Sequence, residues 1–166
     1  AVVTVGGTDR ENLYAVCKYE NGYGVAKLNT KDERWERIDS SYKEHKEGYY
    51  KIIKRKSLVI DENHIYTYFG GMKRWDGEKW TEAELPFISF AKFNNEVYYG
   101  NTSEGPYRYN KETKQWEKLE DVEGEITAVN SKGAMIIGMN ECIMPDGSKV
   151  DIPPADDILG DRNDGK

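Results

Sequence analysis

Short apolar segments alternate with polar turns along the whole chain. Val, Ile and Tyr are concentrated in the segments, and Asn, Asp and Gly in the turns, which is the pattern of short strands joined by hairpins. The segments that precede and follow these turns are 2–5 and 12–16, 57–60 and 64–68, 88–93 and 96–100, and 126–129 and 133–137. No window shows the uninterrupted spacing of apolar residues that a helix requires. The pattern therefore predicts an all-β chain.

A second pattern divides the chain into repeats. A turn, a Trp and an apolar residue three positions later recur at Trp35, Trp80 and Trp116, and Val150 stands in the place of Trp in a fourth copy. The interval is roughly 35–45 residues, which indicates a repeat architecture. We expect four strands in each repeat, over 1–39, 50–86, 87–121 and 122–154, with an inserted loop at 40–49 and a flexible acidic tail at 155–166. The Trp-x-x-apolar spacing departs from period two and predicts a bulge or an edge position in each fourth strand.

Burial decides how such sheets would assemble. A small four-stranded sheet cannot bury both of its faces alone, whereas several sheets packed face to face around an axis bury them mutually. We therefore predict one all-β domain over 1–154, a β-propeller of about four four-stranded antiparallel blades. The residues expected to anchor the repeat are aromatic residues at equivalent positions and a pair of glycines: Trp35, Trp80, Trp116, Tyr14, Tyr66, Tyr98, Gly70 and Gly71.

The second repeat resembles the kelch repeat of β-propellers. The resemblance rests on Ile65-Tyr-Thr-Tyr-Phe-Gly70-Gly71, followed by Trp75 and Trp80. In the kelch family the paired glycines end the second strand and the later aromatic residues pack between blades. Only the second repeat has both glycines, and the fourth lacks Trp as well. Kelch propellers usually have six or seven blades, so three alternatives stay open: a four-bladed ring, which we favour, a fragment of a larger ring, or half of a ring closed by a homodimer.

Charge and composition limit the function. The net charge of −6 argues against a nucleic-acid partner, because phosphate contacts need a basic surface. No apolar run approaches the roughly 20 residues of a membrane-spanning helix. Cys17 and Cys142 are too few for a disulfide framework, which slightly favours the cytoplasm without fixing the compartment. The chain opens on Ala1 rather than Met, which is compatible with removal of a leader or an upstream domain.

Residues that could perform chemistry are sparse. His45 and His64 have no second ligand at metal-binding spacing, and both are expected to be solvated in polar loops. The Asp-Gly pairs at 76–77 and 146–147 are interpreted as turns in which Gly supplies the positive φ. We recognise no nucleophile motif, phosphate loop or dinucleotide fingerprint. We therefore predict no catalytic residues, no metal and no cofactor.

The segment from Ser40 to Lys56 is the most distinctive part of the chain outside the repeats. It joins two tyrosines to a local basic cluster in an acidic chain, and its candidate binding residues are Tyr42, His45, Tyr49, Tyr50, Lys51, Lys54 and Arg55. A solvated loop, or an extra edge strand guarded by lysines, explains this composition without any function and is the favoured interpretation. The sharper hypothesis is a recognition loop, because Tyr and Arg are enriched at interfaces.

These observations favour a non-catalytic module that binds another protein through the loops of a propeller. The alternative is a glycan- or receptor-binding domain of the attachment type, since Tyr and Trp beside Asn and Asp suit sugar stacking. A propeller hydrolase or oxidase is the third and weakest hypothesis. The expectation of protein binding rests in part on analogy between folds.

Overall fold

The chain is a set of four-stranded β-sheets. A computed structural model describes residues 1–20, 22–39, 55–68, 70–120, 122–129, 135–137, 141–144 and 148–151. Within these ranges the regular elements are strands, and helical backbone is confined to Arg55. The all-β prediction is confirmed. The chain divides into two compact units, residues 1–90 and residues 91–166.

The first unit contains two sheets that follow the same order along the chain. Sheet 1 consists of β1 (Val2–Gly7), β2 (Leu13–Tyr19), β3 (Gly22–Asn29) and β4 (Arg34–Arg37). Sheet 2 consists of β5 (Leu58–Asp61), β6 (His64–Tyr68), β7 (Met72–Trp75) and β8 (Trp80–Glu82). In each sheet, neighbours along the chain are neighbours in space and pair antiparallel.

The second unit repeats this arrangement, beginning within β9. Sheet 3 consists of β9 (Ser89–Phe93), β10 (Val97–Thr102), β11 (Gly105–Asn110) and β12 (Gln115–Lys118). Sheet 4 consists of β13 (Ile126–Val129), β14 (Met135–Ile137), β15 (Glu141–Ile143) and β16 (Lys149–Asp151). Strand order again follows the chain, and sheet 4 is antiparallel throughout.

The turns before β4, β8 and β12 form because a side chain caps the backbone. The Asn29 side chain accepts hydrogen bonds from the N–H groups of the residues two and three positions later, and Asn110 and Asp76 do the same. Gly77 has a φ of 103°, which confirms that the Asp76–Gly77 pair is a turn. The pair at 146–147 lies outside the described residues.

The fourth strand of each sheet lies at an edge of the sheet. This confirms the edge position, which was one of the two alternatives predicted for these strands. The main chain then continues its pairing for one more residue, since Ile38, Ala83 and Leu119 each donate an N–H to the third strand of their own sheet. The predicted bulge is not there. Register shifts instead fall in the first strands, at Val2/Thr4, Val59/Asp61 and Ile126/Ala128. The extra N–H bond keeps the Trp-x-x-apolar segment in register, so its irregular spacing needs no bulge.

The core of the first unit lies between its two sheets. One cluster contains residues of both sheets: Val3, Tyr14, Val16, Tyr23, Val25, Val59, Ile65 and Trp75. The sheets approach so closely that a Cβ on Gly6 would lie 2.2 Å from the carbonyl oxygen of Val59. The opposite face of sheet 1 carries the small residues Ala15, Cys17 and Ala26, and the ring of Trp35 packs over them.

The core of the second unit is smaller among the described side chains. Ala91, Tyr99 and Ile126 form its buried cluster, with Val97, Leu119, Val122 and Val129 packed around them. Asn101, which is fully buried on β10, also joins sheet 3 to sheet 4 through the main chain of Ile126.

Candidate functional site

Most of the predicted binding residues lie outside the part of the chain that the structure describes. These are Tyr42, His45, Tyr49, Tyr50, Lys51 and Lys54, while Arg55 is described and exposed. The structure describes the residues on either side of this segment. The chain leaves sheet 1 at Asp39 and enters sheet 2 at Lys56 and Ser57. We call these two places the roots of the 40–54 segment.

The first root is a buried carboxylate. The Asp39 side chain has no exposed surface, and it accepts hydrogen bonds from the Val25 main-chain N–H at 3.1 Å and the Trp80 indole at 3.3 Å. The guanidinium of Arg37 completes the group, with its Nε 3.0 Å from Oδ1. Three donors compensate for the loss of hydration that a buried carboxylate suffers. We call these four residues the Asp39 cluster, and it joins sheet 1 to sheet 2.

A glycine on β3 makes room for this carboxylate. A Cβ on Gly24 would lie 2.6 Å and 2.8 Å from the two carboxylate oxygens of Asp39. Those separations are far below van der Waals contact, and the carboxylate cannot retreat without losing its three donors. Gly24 is therefore required by a side chain 15 positions further along the chain.

An aromatic ring and a thiol lie beside the cluster. Arg37 stacks over the ring of Tyr19 at 4.6 Å from its centroid, in the geometry of a cation–π contact. Burial, together with Cys17 and Asp39, raises the pKa of Tyr19 to about 12, although Arg37 opposes the change. Burial also raises the pKa of the Cys17 thiol. Both groups are therefore neutral near pH 7, which makes Cys17 a poor nucleophile.

The second root is held by neighbouring positions of β6. The Lys56 ammonium lies 4.3 Å from the ring centroid of Tyr68, and the hydroxyls of Ser57 and Thr67 are hydrogen-bonded at 2.8 Å. Ser57 and Thr67 are both buried. Each end of the 40–54 segment is thus attached to a sheet by buried or half-buried polar groups.

The prediction that His64 is solvated is wrong. It was expected to be solvated in a polar turn, but it is 9% exposed, and its Nδ1 lies 2.8 Å from Oδ1 of Asp61. The cause is the length of the hairpin, because Asp61 and His64 pair across a turn of only two residues at the end of a buried strand. Asp61 also accepts the N–H of Asn63 at 2.9 Å. The pair holds the turn closed.

A third carboxylate performs a similar task on the other face of sheet 2. The phenol of Tyr66 is fully buried and donates to Glu84, and the Arg74 guanidinium lies 3.5 Å from the second oxygen of Glu84. Phe87 and Phe90 pack against the Tyr66 ring, with centroids at 5.7 Å and 5.4 Å. Glu84 therefore attaches the connection after β8 to the strands of its own sheet.

Asp39 and Glu84 share a sequence signal beyond the Trp-x-x-apolar repeat. Asp39 lies four residues after Trp35, and Glu84 lies four residues after Trp80. Glu120 has the same spacing from Trp116. The repeat is therefore Trp-x-x-apolar-acidic in three copies. If the alignment of the three copies is extended by one position beyond the apolar residue, it identifies Asp39 and Glu84 from the sequence alone.

The predicted anchors occupy varied surroundings. Tyr14, Tyr66 and Tyr98 are buried, and the three tryptophans are half-buried. Trp35 packs over its own sheet, Trp80 packs against the core between sheets 1 and 2, and Trp116 contacts Tyr109 with ring centroids 5.2 Å apart. Gly70 and Gly71 lie between β6 and β7 with φ of 67° and 155°.

Comparisons with known proteins supply no further guide, because no family model matches the chain and no curated protein does so either. Within the described ranges, no group of three or more His, Cys, Asp or Glu side chains is arranged to hold a metal ion. In that same part of the chain, no helix is long and apolar enough to cross a membrane.

Proposed function

We propose that this protein is a non-catalytic binding module and that the 40–54 segment contacts a protein partner. The observation that carries the proposal is the pair of roots. Asp39 at one end and Ser57 at the other are buried and hydrogen-bonded to a sheet. Recognition residues are commonly found on connections whose ends are fixed by a rigid scaffold. The three tyrosines of the segment suit a protein interface, where Tyr is enriched.

The carboxylates of the first unit support binding rather than catalysis. Asp39, Asp61 and Glu84 each hold two strands or a turn together through the hydrogen bonds described above. A general acid or base must exchange protons with a substrate within hydrogen-bond reach. Carboxylates engaged in structural bonds are poorly suited to that task, so a hydrolase or an oxidase is the less favoured function.

A glycan-binding domain is the alternative function. Sugar recognition by stacking uses an aromatic face that is open to solvent. The rings of Trp35, Trp80 and Trp116 are half-buried and packed against other side chains, which leaves less ring surface for a sugar. This difference favours a protein partner. A specific hit on a glycan array would reverse the preference.

For the scaffold, we propose a kelch-like β-propeller whose blades are the four sheets. The meander order of each sheet, the edge position of each fourth strand and the face-to-face core within the first unit support it. Small-angle scattering and sedimentation of the intact chain test it. A compact monomer is expected for a four-bladed ring, whereas a dimer would indicate a ring closed by two copies, and an extended monomer would contradict the proposal.

The binding function is tested by reversing charge within the segment. The variant carries Lys51→Glu, Lys54→Glu and Arg55→Glu. A control carries Arg10→Glu, Lys31→Glu and Lys79→Glu, which make the same charge change on exposed hairpin turns. Because strands of a meander alternate in direction, the turns of Arg10 and Lys31 lie at the opposite end of sheet 1 from its exit towards Asp39, and the turn of Lys79 lies at the opposite end of sheet 2 from Ser57.

The readout is the set of proteins captured by each chain from cell extract and quantified by mass spectrometry. We expect a partner that the original chain and the control retain and that the segment variant loses. Replacing 41–47 by a Gly-Ser linker, with circular dichroism to confirm folding, should give the same loss. Equal capture by all the chains would contradict the proposal.

A further inference from the structure

We infer that sheet 4 opens as a separate unit while sheets 1 and 2 remain folded, and that Asn101 controls this opening. The inference concerns the stability of the fold and does not rest on the proposed function. It follows from how little of β13 is buried and from the chemistry of the residue that joins β13 to sheet 3.

The first observation is the burial of the two strands that begin sheets 2 and 4. All four residues of β5 are buried. In β13, Ile126 is buried at 1% exposure, whereas Thr127 and Ala128 are exposed and Val129 is half-buried. The last strand of sheet 4, β16, is exposed at all three of its residues. Segments with few buried apolar contacts open with lower free energy than the whole fold.

The second observation is the pairing of Asn101 with Ile126. The side-chain amide of Asn101 donates to the Ile126 carbonyl at 2.9 Å, and its oxygen accepts the Ile126 N–H at 2.8 Å. The amide thus acts as a neighbouring strand would. Asn101 is fully buried, so the loss of its partner would cost two hydrogen bonds at a place that is closed to water.

Together, these two observations indicate how sheet 4 separates from sheet 3. Ile126 supplies both the buried side chain of β13 and the main chain that Asn101 binds, so an apolar contact and two hydrogen bonds meet at one residue, and Val129 packs against the same cluster. Separation at Ile126 removes the apolar contact with Ala91 and Tyr99 together with both hydrogen bonds. Because these contacts are lost together, we expect a cooperative opening of sheet 4 and not a gradual fraying.

Hydrogen exchange followed by mass spectrometry on the full chain tests the inference. In the original chain, we expect peptides covering 126–129 and 135–137 to exchange at least ~10-fold faster than peptides covering 13–19 and 22–29. Asn101→Leu removes donor and acceptor while keeping the number and the branching of the side-chain heavy atoms. It should accelerate exchange in 126–137 by a further ~10-fold or more and leave 13–29 unchanged.

Thr67→Val is the matched control, because it breaks the buried Ser57–Thr67 hydrogen bond within sheet 2. It should not change exchange in 126–137. Two results would overturn the inference: a common exchange rate for all strands of the original chain, or equal acceleration of both regions by Asn101→Leu. If that variant does not fold, the original chain and Asn101→Asp, which retains the acceptor, decide the question.

Discussion

In the part of the chain that the structure describes, the main-chain amides of Val25 and Ile126 both donate to fully buried side-chain oxygens, and their surroundings differ. Val25 of sheet 1 donates to the carboxylate of Asp39, which also binds an indole and a guanidinium. Ile126 of sheet 4 donates to the neutral amide of Asn101. The first amide lies in a core built from two sheets, whereas the second lies on a strand with a single buried residue. The same repeat is therefore joined to its neighbour by two different kinds of contact.

The difference shows what each pair of sheets requires. Sheets 1 and 2 can bury a charge because three donors surround it and a glycine makes room for it. Sheets 3 and 4 are joined by the amide of Asn101, which needs no counter-charge. At residue 126 it bonds the main chain, so it does not depend on the side chain there. We expect the first arrangement to be more stable and more sensitive to substitution, because a buried charge that loses its partners is costly.

The largest expected effect is at the close approach of β1 and β5. Gly6→Ala would place a methyl group 2.2 Å from the Val59 carbonyl oxygen, and backbone cannot move aside cheaply. We expect a loss of about 3 kcal/mol or more in the free energy of unfolding, measured by urea denaturation. Gly71→Ala is the control, because its Cβ meets nothing within 4 Å and only the backbone conformation is strained. A similar loss of stability in both variants would contradict the close contact between Gly6 of β1 and Val59 of β5.

Removal of the buried carboxylate is expected to have the next largest effect. Asp39→Ala leaves the Val25 N–H and the Trp80 indole without this acceptor and removes the carboxylate beside Arg37. We expect the free energy of unfolding to fall by about 2–3 kcal/mol, again by urea denaturation. A loss below about 0.5 kcal/mol, typical of exposed ion pairs, would mean that the Asp39 cluster is not buried in solution.

Trp80→Phe separates hydrogen bonding from packing in the same cluster. Phe keeps much of the apolar contact with the core but loses the indole N–H that Asp39 accepts. We expect a loss of about 1 kcal/mol, smaller than that of Asp39→Ala. Combining the two substitutions should cost less than the sum of the single losses, because they remove the same bond. Strict additivity in this double-mutant cycle would contradict the contact.

The smallest expected effect is a change of stability at alkaline pH. Burial raises the pKa of Tyr19 from 10.0 to about 12, so the folded state retains the phenol proton more strongly than the unfolded state. The resulting stabilisation is complete below pH 10 and is lost as the pH rises towards 12. Tyr19→Phe should therefore weaken the decline of the unfolding free energy over that range. Identical declines in the two proteins would contradict the burial of this ring.

The sequence predicted the strands better than it predicted the polar residues between sheets. Strand positions follow from local features, such as the capping side chains of Asn29 and Asn110 and the Gly of the Asp76–Gly77 turn. The environment of His64 and Asp39 depends instead on which strands lie beside them. His64 was expected to be solvated and Asp39 was not singled out, yet each is buried because the surrounding strands are. The alternation of residues along a strand cannot reveal that.

Part of the missing information is nevertheless present in the repeat. The acidic residue four positions after each Trp is a pattern that alignment of the three copies reveals. The partners of these acidic residues could not be predicted from the pattern. Asp39 accepts a hydrogen bond from a second sheet, whereas Glu84 binds strands of its own sheet. Which partner each carboxylate finds depends on the packing of sheets, and that is a property of the fold.

The comparison between the two regions is tested most directly by the exchange of two backbone amides, followed by NMR in the original chain. The Val25 and Ile126 N–H groups both donate to a buried side-chain oxygen, at 3.1 Å and 2.8 Å, so each amide is protected by a hydrogen bond of its own. We predict that Ile126 exchanges at least ~10-fold faster than Val25, because sheet 4 opens while sheet 1 stays folded. Equal exchange rates would contradict the account, since they would mean that both regions open only when the whole chain unfolds.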